Sequence, residues 1–152
     1  MRTLALMFAF ATVHAVAQPC TAPEHRQFDF WLGEWEVRNA AGKIVGTNTI
    51  TMLHKGCVLM ENWSGAGGVT GSSFNLYDAP LKRWHQTWVD SSGSLLELDG
   101  SLIDGAMVLA NADNRITWRV LTDGRVRQLW EVSPDSGATW KTSFDGYYEK
   151  KK

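Results

Sequence analysis

Basic residues gather nowhere in this chain except at its last three positions, Lys150 to Lys152. A nucleic-acid partner wants a positive stripe, and with 15 basic against 16 acidic residues none is expected. Cysteine is scarce, with two in 152 residues. Neither has a His or another Cys at ligand spacing, so no metal site is expected, and no cofactor is assigned. A P-loop, a Cys-x-x-Cys pair, a nucleophile elbow and a Ser-His-Asp arrangement are all missing. Beyond the first segment no apolar run is long enough to span a bilayer. There is no internal repeat, no low-complexity tract and no linker, which leaves one domain.

The first segment reads as an export signal over residues 1–17. Met1-Arg2-Thr3 is a short basic start, LALMFAFATV an apolar run, and Ala15-Val16-Ala17 a small-residue cleavage site. Cys20 follows Gln18-Pro19, a poor lipobox, so no lipid anchor is expected. Removing 17 of the 152 residues leaves 135, starting near Gln18; losing Arg2 moves the formal charge from −1 to −2. The destination is periplasmic or secreted. In an oxidising compartment Cys20 and Cys57 either form one disulfide or remain two buried thiols.

Residues 18–32 form an N-terminal segment. Thr21-Ala22-Pro23-Glu24 resembles a capping box, and a short helix is expected to run to about Trp31 with Phe28, Trp31 and Leu32 on its apolar face. From 33 to 150 helical periodicity gives way to ten β-rich runs separated by turn signals. They are EWEVRN, KIVGTNTITML, CVLMENWS, SSFNLYD, RWHQTWVD, LLELDGS, AMVLAN, RITWRVL, RVRQLWEV and TWKTSFDGYYE. Links this short permit antiparallel neighbours and forbid parallel crossovers. A long meander cannot leave hydrophobic edges open, so an all-β, ten-stranded antiparallel up-and-down barrel is expected. A two-sheet sandwich fits the same periodicity.

Strand alternation assigns faces. Exposing much aromatic surface is costly, so the Trp-bearing sides are turned inward. That places Trp84, Gln86 and Trp88 on one strand, Ile116 and Trp118 on another, and Gln128 and Trp130 on a third. Leu59, Glu61 and Trp63 follow by the same rule; on SSFNLYD, Asn75 and Tyr77 compete with Phe74 and Leu76. The candidate ligand-binding residues are Glu61, Asn75, Trp84, Gln86, Trp88, Trp118, Gln128 and Trp130. Either these polar groups orient a small ligand in a mostly apolar cavity, or they satisfy one another while the rings fill the barrel. Glu61 either carries a raised pKa and acts as an acid, or pairs with Arg119 or Arg127. His85 is expected on the outer face and His54 at a rim.

Two motifs bear on kinship. SPDSGATW, residues 133–140, is an Asp-box, which sialidases carry in several copies; a single copy reads as a hairpin device, with Asp135 accepting turn amides. FDFWLGEWEV, residues 28–37, contains Gly33-Glu34-Trp35, which resembles the Gly-x-Trp of lipocalin-type (calycin) barrels. With WHQTWVD and RVRQLWEVSPDSGATW the chain is similar, over residues 25–149, to an uncharacterised bacterial group of exported lipocalin-like barrels. The resemblance implies that Trp35 plugs one barrel end. Lipocalins set a late Arg against that ring; here the last run offers only Lys141 and Lys150, with Arg127 a possible substitute. Nitrobindin, a ten-stranded haem-binding calycin barrel, is a more distant likeness. Its iron is held by a late histidine, and no His follows His85 in this chain.

Three functions compete: an exported binding barrel for a small, partly apolar molecule, a filled-core interaction or structural protein of the cell envelope, and a hydrolase or isomerase using Glu61. The first is preferred, and no catalytic residue is assigned.

Overall fold

A computed structural model describes residues 20–151. The expected export signal, with its cleavage site, lies outside the described residues. Ten antiparallel strands form one closed barrel: β1 (Gly33–Arg38), β2 (Ile44–Leu53), β3 (Val58–Gly65), β4 (Thr70–Asp78), β5 (Arg83–Asp90), β6 (Leu95–Ile103), β7 (Ala106–Ala110), β8 (Asn114–Val120), β9 (Val126–Val132) and β10 (Lys141–Lys150). Each strand pairs with its sequence neighbour. β1 closes the ring on β10 through the pairs Trp35–Lys150 and Val37–Tyr148. The expected barrel is therefore present, and the sandwich alternative is not.

Register explains the inside. Inward residues meet inward residues around the ring: Asn48 opposite Trp63, Glu61 opposite Ser73, Asn75 opposite Gln86, Trp88 opposite Leu96, Ile116 opposite Trp130. This is the period-two alternation of each strand carried across its neighbours. Inward glycines make room for inward rings. A Cβ on Gly71 would stand 2.3 Å from the Trp88 ring, and one on Gly46 would stand 2.5 Å from that of Trp63.

The short helical segment before β1 consists of two 3₁₀ turns, Pro23–Arg26 and Asp29–Trp31. The N-cap position falls on Ala22 rather than Thr21, and Pro23 begins the first turn. The segment closes one end of the barrel. Phe28 and Trp31 are fully buried there, and Phe28 stacks on Trp31 with centroids 5.0 Å apart. Phe28 also meets Trp84 and Trp118 edge-on, at 5.6 and 5.2 Å. Trp35 donates its indole N–H to the Trp31 carbonyl at 2.8 Å, which ties the plug to β1. The basic side chain over Trp35 is Lys150, with Nζ 5.3 Å from the ring. Arg127 does not take that place; it points outward and chelates Asp145 at 2.8 and 2.9 Å.

Cys20 and Cys57 form a disulfide across a separation of 37 residues. It fastens the start of the plug to the β2–β3 connection, where Arg26 also donates to the Gly56 carbonyl. Such a bridge belongs to an oxidising environment. A closed loop of that length contributes about 4 kcal/mol by the chain-entropy relation. The double variant Cys20→Ser/Cys57→Ser should lose roughly that much in urea unfolding monitored by circular dichroism. A loss below about 1 kcal/mol would mean the plug is held by its rings alone.

Candidate functional site

The end opposite the plug is open. Between the loops that join β3–β4, β5–β6, β7–β8 and β9–β10 lies a cavity of about 230 Å³. Its walls are Trp63, Trp88, Leu96, Ile116, Trp130 and Phe144; Glu61, Gln86, Gln128, Ser143 and Tyr148 supply its polar groups. Two wall indoles are fixed by their N–H groups, Trp88 to Asp90 at 3.3 Å and Trp130 to Asn114 at 3.0 Å. Their donors are spent, so they offer the cavity apolar faces. Ser143 enters the lining through a bulge in β10: Thr142 pairs with Glu131 and Phe144 with Trp130, leaving Ser143 as the extra residue.

Beneath the walls lies a polar floor. Asn48 donates to one Glu61 oxygen at 2.6 Å and Ser73 to the other at 2.6 Å. Asn75 donates to Ser73 at 2.8 Å and to the Leu59 carbonyl at 3.3 Å; Gln86 donates to Asn75 at 2.8 Å. Tyr148 donates to Gln128. The Leu59 carbonyl can only accept, so it fixes the direction of this chain. Asn75 must present its NH₂ to it, its oxygen then faces Gln86, and Gln86 must answer with its own NH₂. The Gln86 amide oxygen is left with no protein partner.

Glu61 is 4% exposed and has no basic partner. The expected pairing with Arg119 or Arg127 does not occur. Arg119 binds the Asp104 carbonyl and Arg127 binds Asp145, both on the outer side of strands whose inward positions hold Trp118 and Gln128. Burial pushes the Glu61 carboxyl up to about 7, although the hydrogen bonds from Ser73 and Asn48 pull it down. Burial, together with the charge of Glu61, holds the Tyr148 phenol well above its ordinary range.

The sequence-predicted residues divide between the two ends. Glu61, Gln86, Trp88, Gln128 and Trp130 line the cavity. Asn75 lies below them as a link in the floor. Trp84 and Trp118 belong to the plugged end, where Trp84 donates to Gln27 at 3.1 Å. Asn48, Ser73, Ser143, Phe144 and Tyr148 belong to the site without being sequence candidates, as do the wall residues Trp63, Leu96 and Ile116. Alternation could have placed Asn48 and Ser73 inward from their partners Trp63 and Glu61; the bulge that admits Ser143 leaves no sequence signal. On the outer face the structure adds a line of hydrogen bonds absent from the sequence reading: Asp99 to His85 Nδ1 and Thr87 to His85 Nε2, each 2.9 Å. It has the order of a hydrolytic triad, but it lies on a convex face outside the cavity. The Asp-box closes on itself: Asp135 accepts from the Thr139 amide and hydroxyl, each at 2.7 Å, and Ser133 accepts from the Gly137 amide at 2.7 Å.

Among the described residues no group of three or more His, Cys, Asp or Glu is placed to hold a metal. No helix among them is long and apolar enough to cross a membrane. Compared with models of known families and with curated proteins, the chain matches none.

The raised Glu61 pKa has a consequence for stability. An unfolded Glu loses its proton near 4.5, whereas folded Glu61 keeps it to about 7. The folded state therefore holds the extra proton between these values, and stability falls as pH rises through that window. Urea unfolding should show wild type losing about 3 kcal/mol between pH 4 and pH 8 relative to Glu61→Gln. Parallel pH profiles for the two proteins would contradict a buried, unpaired carboxyl.

Proposed function

We propose that this chain is an exported, lipocalin-like barrel that holds a small, partly apolar molecule in its open end. The observation that carries the reading is the cavity itself. Phe28, Trp31, Trp84 and Trp118 pack one end of the barrel, whereas the other end keeps a cavity of about 230 Å³ between indole walls and a hydrogen-bonded polar floor. A protein built only for stability gains nothing from such a void, because each unfilled volume forfeits packing. Pockets for drug-sized ligands begin at about 300 Å³, so the occupant is smaller than that class. The disulfide and the signal-like first segment support export. Gly33-Glu34-Trp35, with Trp35 tied to the plug, supports the lipocalin-like kinship.

A second reading keeps the site and adds chemistry: a carboxyl that exchanges its proton near neutral pH, on a cavity floor, suits an acid–base catalyst. It requires turnover of whatever binds.

Binding is tested by a compound screen read through melting temperature and tryptophan emission. A true occupant should raise the melting temperature and quench Trp88 and Trp130. Trp88→Ala and Trp130→Ala should each weaken it by about tenfold or more, the loss of one stacked ring. A broad screen of small polar and apolar compounds that never moves the melting temperature would sink the reading.

A further inference from the structure

Resting on the cavity reading above, we infer that the occupant is a small organic ammonium ion, its nitrogen held by Glu61 and the Gln86 amide oxygen and its carbon skeleton between the indoles of Trp63, Trp88 and Trp130. Three independent features converge on this chemistry.

The first is the direction of the floor hydrogen bonds. Asn48 and Ser73 each use one lone pair of Glu61, which leaves acceptor capacity on both oxygens. The Leu59 carbonyl, acting through Asn75, turns the Gln86 oxygen out of the network. Glu61 and Gln86 both line the cavity, so the floor offers it acceptors, and an ammonium group is a cluster of donors.

The second is charge. Glu61 is bonded by Asn48 from β2 and Ser73 from β4, and Gln86 from β5, Gln128 from β9 and Tyr148 from β10 share the cavity lining with it. Among the residues lining the cavity there is no Lys, Arg or His, and Tyr148 is the other titratable group. Its phenol is held well above its ordinary range, so it brings no competing charge near neutral pH. A buried carboxylate with no basic partner is the charge that an entering cation would neutralise.

The third is the wall. With the Trp88 and Trp130 N–H groups committed at the rim, ring faces are what these indoles present, and the face is the negative part of the ring quadrupole. Indoles around a carboxylate form an aromatic cage, the arrangement that recognises ammonium groups. A neutral occupant of the same size would forgo the charge attraction to the carboxylate and the ring faces, and an anionic one would be repelled by both.

The test is calorimetric titration with 2-phenylethylammonium and its neutral analogue 2-phenylethanol. At pH 8 the ammonium ion should bind at least roughly tenfold more tightly than the alcohol, and Glu61→Gln should abolish that preference. The complex needs the ionised carboxylate, so affinity for the ammonium ion should fall roughly tenfold between pH 8 and pH 6, as Glu61 takes up its proton near 7. Titrating wild type at pH 6 in two buffers of different ionisation enthalpy should show close to one proton released, a readout independent of the variant. Equal binding of the alcohol, or ammonium binding unchanged in Glu61→Gln and without proton release, overturns the inference and leaves the cavity reading intact. If neither probe binds, the inference also fails, and the melting-temperature screen alone then decides the cavity reading.

Discussion

The pairing of β1 with β10 is the constraint on which the rest depends. Four registered pairs, from Trp35–Lys150 to Arg38–Tyr147, turn a ten-strand meander into a ring. Without them the indole-bearing faces would have no opposite wall, and two long edges would be open to other chains. With them, Val37 is set against Tyr148, and the Tyr148 hydroxyl lies within 3.4 Å of Asn48 and donates to Gln128. Closure therefore completes the polar floor as well as the hydrophobic wall.

The two ends use the same residue types differently. At the plugged end the N-terminal turns insert Phe28 and Trp31, and aromatic edges meet aromatic faces until no space is left. At the open end inward glycines give the rings of Trp63 and Trp88 room against the wall, and a cavity remains between the walls. The polar floor separates the two halves. Its members hydrogen-bond one another, which is how a carboxyl, three carboxamides and a hydroxyl can be buried together without a cation. Glu61 bears the cost of that arrangement as a raised pKa, so that stability falls as pH rises towards neutrality.

Much of this was legible in the sequence. Short links forced antiparallel neighbours, and the tryptophans at alternate positions gave the inward faces of β5, β8 and β9 without ambiguity. SSFNLYD was ambiguous because each of its faces carries one aromatic residue, Tyr77 on one and Phe74 on the other; register with β3 and β5 settles Ser73 and Asn75 inward and leaves Phe74 half exposed. Alternation cannot say at which height along the barrel axis a side chain sits. Trp84 and Trp88 share a face and a strand, yet Trp84 packs into the plug and Trp88 lines the cavity. The partner of Glu61 was misjudged for a related reason: Arg119 and Arg127 lie on the strands carrying Trp118 and Gln128 but on the opposite faces, so no register could bring them inside.

The central claim is that Glu61 is a buried carboxyl with no basic partner at the base of an open cavity. Its titration, followed by carbon NMR of the labelled side-chain carboxyl in wild type, tests this most directly. The account predicts a midpoint near 7. A midpoint near the ordinary 4.5 would mean that the group is solvated or paired, and would contradict the account.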